Sequence, residues 1–581
     1  MKKMSNTGRG KNNSILSNKK TIGIALSVSG ALLFGFIVPS KEQMAQWYQA
    51  SGYYFIFGTA ILWLFSLLPE TMENTRWKKL FKYHVGALIL AFVLVVGMVL
   101  SSPPTFRILA DETNLAAISA SMYQEHSFYN STTGYFYYEK YYDEGHEWGI
   151  RSLFYPFLLS IIHTITGYRA ENTFTLNAIA AFFCLLFFYG LIQRWFPKKL
   201  ALVSMILLTC FPLFVLCATS GGFEIVNLLF VIMAFFFLDT YLVTRRSDDL
   251  EKLGMTLILL AQLRYESSIF CICIALILMF ILRRKEYEDL TLRIILFPLL
   301  LLPVAWHRLI TLNTQDLQFY DDKDLFSFSM LQSNLGKTWE YFTLRPYQYN
   351  NNPVLFYLGL AGLILGIWAI VKMKEEKGVR IKVLITSSLL CFILILVVIL
   401  SFNHDMGGMT HPATVRYGLV FTPIIVFGVI VLLDRISRSG KSNMRYIWAA
   451  TIGILIWFWP IAPNNESLHS LTLPREYHAT LDYLKKHFPE KNLIIVSERP
   501  GLYTPHLWGA VPFSFANQHS EKLIEKLERK LSREILVIQN IQYTDNQPST
   551  NTRLSEKFPL EVLFEIQTNA TWYTRISRVK K

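Results

Sequence analysis

Two adjacent carboxylates, Asp111 and Glu112, come shortly after an apolar run that ends at residue 102. A carboxylate at a membrane surface can act as a general base toward a hydroxyl group, and a neighbouring acid can hold charge beside it. Two arginines, Arg264 and Arg416, stand within or next to other apolar runs, where cations suit the binding of a phosphate group. Each residue also has a plainer interpretation. The acids would then begin a solvated loop, Arg264 would pair with Glu266, and Arg416 would anchor a helix at the interface.

The elements that must position these residues are membrane helices. Of the 581 residues, 52% are hydrophobic and only 17% are charged, and the mean hydropathy is +0.32. Soluble domains carry roughly 25% charged residues, so this composition excludes a soluble or disordered chain. Apolar runs of about 20 residues, long enough to cross a bilayer, recur along the sequence. They predict about 11 spans, at 21–39, 53–68, 83–102, 173–192, 199–217, 222–243, 292–310, 353–373, 381–402, 413–433 and 446–462.

Basic residues predict the orientation of these spans. The first 20 residues carry six basic side chains and no acid, and most other basic residues lie in short loops, so the net charge of +14 implies no nucleic-acid partner. A cytoplasmic N-terminus satisfies this charge pattern if two segments do not cross. Segment 151–166 is then an in-plane helix, and segment 253–282 is a re-entrant pair of half-helices broken at Arg264. Loop 103–150 holds seven acids and two bases, a net charge of −5, which favours the outer side.

The sequence predicts three parts. A basic cytoplasmic tail covers 1–20, and a membrane domain covers 21–462 with outer loops at 103–172 and 311–352. A small extracytoplasmic α/β domain covers 463–581. Within it, periodicity predicts helices at 476–488 and 519–532 and strands at 492–497, 533–539 and 560–566.

Several short motifs accompany the acidic pair. In chain order they are Asp111-Glu112, His146-Glu147-Trp148-Gly149-Ile150-Arg151-Ser152, Ser220-Gly221-Gly222-Phe223-Glu224, Arg264, and His411 with Arg416-Tyr417. In order and spacing this set resembles the GT-C superfamily of membrane glycosyltransferases. It is most similar to the lipid-linked-sugar mannosyltransferases that build GPI and N-glycan precursors, and to related bacterial protein and lipid glycosyltransferases.

The resemblance implies a GT-C-like polytopic fold and a polyprenyl-phosphate sugar, with mannose as one such sugar, as donor. Transfer would go by inversion to a hydroxyl of a glycan, lipid or protein acceptor, with no nucleotide and no cofactor. A divalent metal is compatible with the acidic loop, but no ligand spacing supports one. Asp111 would be the base, with Glu112 organising the substrates beside it. The substrate-binding residues would be Glu224, Arg264, Arg416, His411, Glu147, Trp148 and Arg151.

Two other classes of function stay open. A transporter or flippase of lipid-linked saccharides would use the same charged cavity without making a bond, but such proteins are often built from paired repeats, and none is visible in this sequence. A noncatalytic envelope-assembly protein is the other alternative. For a transferase, a bacterial plasma membrane is the favoured location and the endoplasmic reticulum the alternative.

Overall fold

The computed structural model describes most of the chain. The described residues are 9–67, 74–137, 140–145, 148–149, 151–281, 290–311, 327–372, 377–401, 407–410, 412–440, 443–464, 472–489, 492–529, 531–567 and 571–580. Two predicted substrate-binding residues, Glu147 and His411, lie outside this set, as do residues 1–8 of the predicted tail.

Helices dominate the chain up to residue 464. The first group is α1 (Arg9–Leu32, continued by a π-helical turn at Leu33–Ile37), α2 (Lys41–Leu67), α3 (Asn74–Ser101), α4 (Leu109–Glu125), α5 (Phe154–Thr166), α6 (Glu171–Gln193), α7 (Lys198–Thr209), α8 (Pro212–Ala218) and α9 (Glu224–Thr244). The second group is α10 (Ser247–Leu263), α11 (Ser268–Ile281), α12 (Leu292–Leu296), α13 (Leu302–Thr311), α14 (Leu331–Thr343), α15 (Pro346–Tyr349), α16 (Pro353–Lys372), α17 (Lys377–Leu400), α18 (Pro412–Val415), α19 (Thr422–Arg438), α20 (Asn443–Phe458) and α21 (Ile461–Asn464).

The helices confirm an integral membrane protein. Within the described residues, seven helical stretches are long and apolar enough to cross a bilayer, and an eighth is added if the bent pair α7–α8 counts as one span. The central one is α9, because 89% of its apolar window is buried inside the protein, so it contacts neighbouring helices on nearly every side. The predicted total of about 11 spans stays a prediction.

Two predicted spans differ from the structure in shape. The run 199–217 is not one straight helix, since α7 and α8 meet at 77°. Pro212 begins α8, and a proline both removes a backbone donor and disfavours helical geometry in the residue before it. The predicted span 53–68 begins earlier, at Lys41, because Ser40 and Gln43 exchange side-chain-to-backbone hydrogen bonds that cap this helix.

Segment 253–282 forms two helices with a break at Arg264, as predicted, but the arms are longer than half-helices. The 17 residues of α10 extend about 25 Å and run back along α9. At the end of α10, the guanidinium of Arg264 lies 4.8 Å from the ring of Phe223, which directly precedes α9. The break therefore lies at the end of the bundle that carries Glu224, here named the site end. Segment 151–166 is helical as α5, which packs along α4, and its in-plane orientation stays a prediction.

Glycines fix the position of α19 against α16. A side chain on Gly362 would collide with the backbone carbonyl of Gly428, so the two helices approach as closely as small residues permit. A 3₁₀ turn at Arg416–Phe421 leads directly into α19. The close packing of α16 and α19 thereby sets the position of Arg416 at the site end.

A seven-stranded sheet covers the site end. Its strands are β1 (Gly134–Tyr137), β2 (Lys140–Asp143), β3 (Leu493–Ser497), β4 (Gly509–Val511), β5 (Glu534–Gln542), β6 (Leu560–Ile566) and β7 (Trp572–Val579), in the order β2-β1-β4-β3-β5-β7-β6. The domain's helices are α22 (Thr472–His487), α23 (Phe513–Gln518) and α24 (Ser520–Glu528).

The sheet joins two distant parts of the sequence. Strands β4, β3 and β5 are parallel, whereas β7 and β6 are antiparallel additions at one edge. The hairpin β1–β2 comes from loop 103–150 and pairs with β4 through Gly134 and Ala510. The predicted strands at 492–497, 533–539 and 560–566 are present, while β4, β7 and the hairpin were not predicted.

Candidate active site

Asp111 lies at the centre of a charged network. It is in the first turn of α4, and its two carboxylate oxygens accept hydrogen bonds from the guanidinium groups of Arg151 and Arg416. Burial alone would raise the pKa of Asp111, but the two arginine charges outweigh burial and hold that pKa well below its usual range. Asp111 is therefore ionised across the physiological pH range.

Arg416 joins Asp111 to a second acid. Its other terminal nitrogen donates to Glu224 Oε1 at 3.0 Å, and the side chains of both residues are at least 94% buried. Glu224 is the first residue of α9, and a side chain on Gly222 would collide with its carboxylate. Gly222 thus leaves room for the acid in this position. Arg416 holds two carboxylates in this structure, and its predicted role as a phosphate ligand stays a prediction.

Glu112 points away from Asp111 and fixes the backbone. Its carboxylate accepts from the amides of Arg107 at 2.5 Å and Ile108 at 2.9 Å, which caps the N-terminus of α4, and from the amide of Gly221 at 3.1 Å. Burial, reinforced by nearby Glu224, outweighs these hydrogen bonds and raises the pKa of Glu112 to about 7. Glu112 therefore connects α4 to the loop before α9.

Two residues that were not among the predicted site residues hold the loop 220–222 in place. The buried amide of Asn177 in α6 donates to the carbonyls of Ser220 and Gly222, both at 2.7 Å. The hydroxyl of Tyr155 in α5 donates to the carbonyl of Gly221 at 2.9 Å. A polar residue inside an apolar helix, such as Asn177, was the available signal, since buried polar groups need partners.

Arg264 lies beside this network, between two aromatic rings. Its guanidinium is 4.8 Å from the ring of Phe223 and 4.6 Å from the ring of Tyr417, and its Nε is 3.5 Å from Glu266. The ion pair that was the plainer interpretation of Arg264 is therefore present. Phe223 and Tyr417 directly neighbour Glu224 and Arg416 in the chain, so Arg264 adjoins the Asp111 network.

A histidine links the loop of Arg151 to the break at Arg264. His307 of α13 is 2% exposed, and its Nε2 donates to the carbonyl of Gly149 at 2.7 Å. Its Nδ1 then lacks a proton and accepts from the hydroxyl of Tyr265 at 2.5 Å. This relay was not predicted, because a lone histidine in an apolar run carries no motif.

Trp148 lies apart from the charges. Its ring packs at 5.4 Å from the ring of Tyr129 and 6.3 Å from that of Tyr48, so its contacts in the structure are with the α2 and loop surfaces. Arg151 is the most accessible of the clustered cations, with 31% of its side chain exposed. Among the described residues no group of three or more His, Cys, Asp or Glu side chains has the arrangement of a metal site.

An apolar groove of about 650 Å³ opens next to Arg264. Its apolar walls come from α11, α17 and the 3₁₀ turn after α18, and consist of Phe270, Ile395, Val398, Ile399, Tyr417 and Val420. Its polar end is formed by Asn227, Arg264, Glu266, Ser267 and Thr414. The hydroxyl of Ser267 donates to Asn227 Oδ1 at 2.6 Å, which ties the polar end to the first turn of α9. The groove can accept a long apolar chain with a polar head.

Part of the chain that carries this arrangement matches a known family. Residues 151–307, which include Arg151, Glu224, Arg264 and His307, match the family model described as dolichyl-phosphate-mannose-protein mannosyltransferase. The resemblance to the GT-C superfamily is confirmed. The match covers residues 151–307 of the 581 and supports a membrane glycosyltransferase, without assigning the donor, the acceptor or the stereochemistry. No curated protein matches the sequence.

This chain is also similar, more distantly, to two solved structures. The oligosaccharyltransferase of Archaeoglobus fulgidus, tethered to an acceptor peptide, is 12% identical with a TM-score of 0.45, and the alignment covers 80% of this chain and 70% of that one. ArnT from Cupriavidus metallidurans bound to undecaprenyl phosphate is 13% identical with a TM-score of 0.43, over 86% of this chain and 98% of that one. Both TM-scores are below 0.5, so the likeness assigns no residue and no substrate.

Proposed function

We propose that this GT-C glycosyltransferase takes a sugar from a polyprenyl-phosphate donor and transfers it, with inversion, to an acceptor hydroxyl on the extracytoplasmic face. The observation that carries the proposal is the apolar groove whose polar end, at Arg264, adjoins the carboxylate and arginine network of Asp111. A polyprenyl phosphate has the matching division into an apolar tail and an anionic head. The family match supports mannose as the first sugar to test.

The donor phosphate is held at the polar end of the groove. Arg264 is fixed between two rings, so its guanidinium reaches the groove at little further entropic cost. Glu266 partly balances its charge, and the exposed Arg151 supplies a second donor to the phosphate. Arg416 stays with Asp111 and Glu224, and so aligns the carboxylates.

Asp111 is the general base. In the structure each of its oxygens accepts one arginine hydrogen bond, and the release of one arginine would make the carboxylate a stronger base. Arg151 is the partner that can move, because it is far more exposed than Arg416. A donor phosphate competes with Asp111 for Arg151, and donor binding thereby opens one carboxylate oxygen to the acceptor.

The reaction then balances as a single displacement. The acceptor oxygen forms a bond to the anomeric carbon while the bond between that carbon and the phosphate oxygen breaks. The proton of the acceptor hydroxyl passes to Asp111. Polyprenyl phosphate leaves, stabilised by the cations that bound it. Attack opposite the leaving phosphate inverts the anomeric configuration.

The proposed placement in the membrane follows the charge pattern. The tail 1–20 is cytoplasmic, the catalytic part is 21–462, and the domain 463–581 is extracytoplasmic, in a bacterial plasma membrane rather than the endoplasmic reticulum. The pairing of β1 with β4 supports one common side for loop 103–150 and the C-terminal domain.

A reconstituted transfer assay tests the proposal. Purified protein in detergent is given labelled polyprenyl-phosphate mannose, or a mixture of such donors, with pooled glycan, lipid and peptide acceptors, and label transfer and released polyprenyl phosphate are measured. Product anomeric configuration is read by NMR. Transfer with retained configuration would contradict inversion. Movement of intact donor across a vesicle membrane, with no bond formed under any of these conditions, would favour the flippase alternative.

A further inference from the structure

A second cavity, of about 470 Å³, lies in the C-terminal domain rather than in the membrane domain. It opens at the carboxyl ends of the parallel strands β3 and β5, beneath α22. In open α/β sheets, ligands bind outside the carboxyl ends of the strands. The proposed transfer reaction does not use this cavity.

The lining of the cavity suits a neutral ligand that is rich in hydroxyl groups. Glu476 and Glu498 supply acceptors and Arg499 supplies donors, so the three formal charges sum to −1, which disfavours a phosphate. The rings of Tyr477 and Tyr503, with centroids 6.4 Å apart, add apolar surface. A sugar ring offers hydroxyls at its edge and C–H groups on its faces, and so matches both components.

One polar atom of the cavity lacks a partner. Oxygen Oε2 of Glu476 is buried and has no hydrogen-bond partner among the described residues. The hydroxyl of Tyr477 does not serve it, because that hydroxyl is paired with His506 Nε2 at 2.7 Å. A buried carboxylate oxygen costs stability unless a donor reaches it, and a ligand hydroxyl would supply that donor.

The cavity is connected to the candidate active site through α4. Leu109, the first residue of α4, lines the cavity, and Asp111 is two residues further on. Residues two apart on a helix point to nearly opposite sides. A ligand in the cavity therefore lies across the first turn of α4 from Asp111, roughly the 10–12 Å diameter of a helix away. It is too remote to be the reacting sugar.

We propose that this cavity binds a neutral saccharide unit of a glycan acceptor, at a distance from the hydroxyl that reacts. The role as part of the acceptor rests on the proposed transferase function, whereas saccharide binding itself does not. The cavity then favours acceptors long enough to reach from the sheet domain around α4 to Asp111.

Direct binding tests the site without any transfer. Full-length protein in nanodiscs is titrated with methyl α-mannopyranoside, methyl N-acetyl-β-glucosaminide and mannose 6-phosphate, with ligand-observed NMR as the readout. At least one neutral saccharide should bind, and the phosphate should bind more weakly. Glu476→Gln and Arg499→Gln should each weaken binding about tenfold, as expected for a lost charge-assisted hydrogen bond. The matched control Glu528→Gln changes an exposed acid on α24, across the sheet, and should leave binding unchanged.

Two outcomes would overturn the site. One is no saccharide binding to protein that is folded by melting temperature. The other is equal binding by the parent, Glu476→Gln and Arg499→Gln.

Transfer assays then separate the two proposals. With a glycan acceptor, Glu476→Gln should raise the KM for the glycan about tenfold and leave kcat and the KM for the donor unchanged. Saccharide binding that depends on Glu476, in a protein that transfers no sugar, would refute the transferase and keep the site. Efficient transfer to lipid or peptide acceptors, with no saccharide binding, would refute the site and keep the transferase.

Discussion

Replacement of Asp111 by Asn is the most direct perturbation of the candidate active site. Asparagine keeps the size of the side chain but can neither take a proton nor balance the charges of Arg151 and Arg416. A positioned general base typically contributes about 10²–10⁴-fold. Asp111→Asn should therefore reduce kcat by about that factor, which corresponds to a rise of about 3–5 kcal/mol in the activation free energy.

The same substitution also destabilises the fold, and the contacts of Asp111 set limits on the loss in free energy of unfolding. Breaking a buried ion pair typically costs about 3–5 kcal/mol. Arg416 keeps its bond to Glu224 at 3.0 Å, and Arg151 is 31% exposed and can be hydrated. The cost should thus lie near the lower limit, about 3 kcal/mol, and the variant should still fold.

Asp239→Asn is a matched control for this cost. Asp239 has a fully buried side chain and pairs at 3.0 Å with Arg194, whose exposure of 27% resembles that of Arg151. It lies on α9, fifteen residues after Glu224 and thus about 22 Å along the helix from the site. Both variants should show similar losses in melting temperature, whereas only Asp111→Asn should lose transfer.

The assay measures transfer from labelled polyprenyl-phosphate mannose, donor binding and thermal unfolding for the parent and both variants. Donor binding should survive in Asp111→Asn, because Arg264 is unchanged. Transfer by Asp111→Asn within tenfold of the parent would refute its role as base, and Glu224 would be the next candidate. Equal losses of transfer in both variants would assign the effect to stability.

Four further predictions address other parts of the site. In the folded protein the pKa of Glu112 is about 7, above its usual value of 4.5, so the stability of the parent should fall as pH rises from about 4.5 to about 7. Melting temperatures measured over this pH range should show the decline in the parent but not in Glu112→Gln. The same decline in Glu112→Gln would contradict the assignment of this effect to Glu112. Arg264→Ala should raise the donor KM about 10- to 100-fold, with partial recovery in Arg264→Lys, and equal loss of folded protein in both would indicate a purely structural ion pair. His307→Phe and Tyr265→Phe should each lower transfer, and less than additively when combined, because they form one relay; additive losses would separate them. A cysteine at Asn130 should react with an impermeant maleimide from outside intact cells, and labelling only from the cytoplasmic side would reverse the proposed orientation.

The sequence by itself determined the membrane character and the residue types of the site. Runs of apolar residues report a bilayer because every backbone polar group inside it must be satisfied within a helix. Asp111, Glu224, Arg264 and Arg416 could be selected because charged residues near apolar runs are costly and stand out against their surroundings. The break at Arg264 was likewise predictable, since it interrupts an apolar segment.

Tertiary structure decided which of these groups meet and what each one holds. Arg416 and Asp111 are 305 residues apart, and His307 and Gly149 are 158 apart, so no local periodicity encodes either contact. From the sequence, Asp111 was predicted as the base and Glu112 as an organiser of the substrates beside it, whereas the fold turns Glu112 toward backbone amides and Asp111 toward arginines. Such contacts depend on how the helices pack and on which buried polar groups need a hydrogen-bond partner. Both depend on the fold of the whole chain.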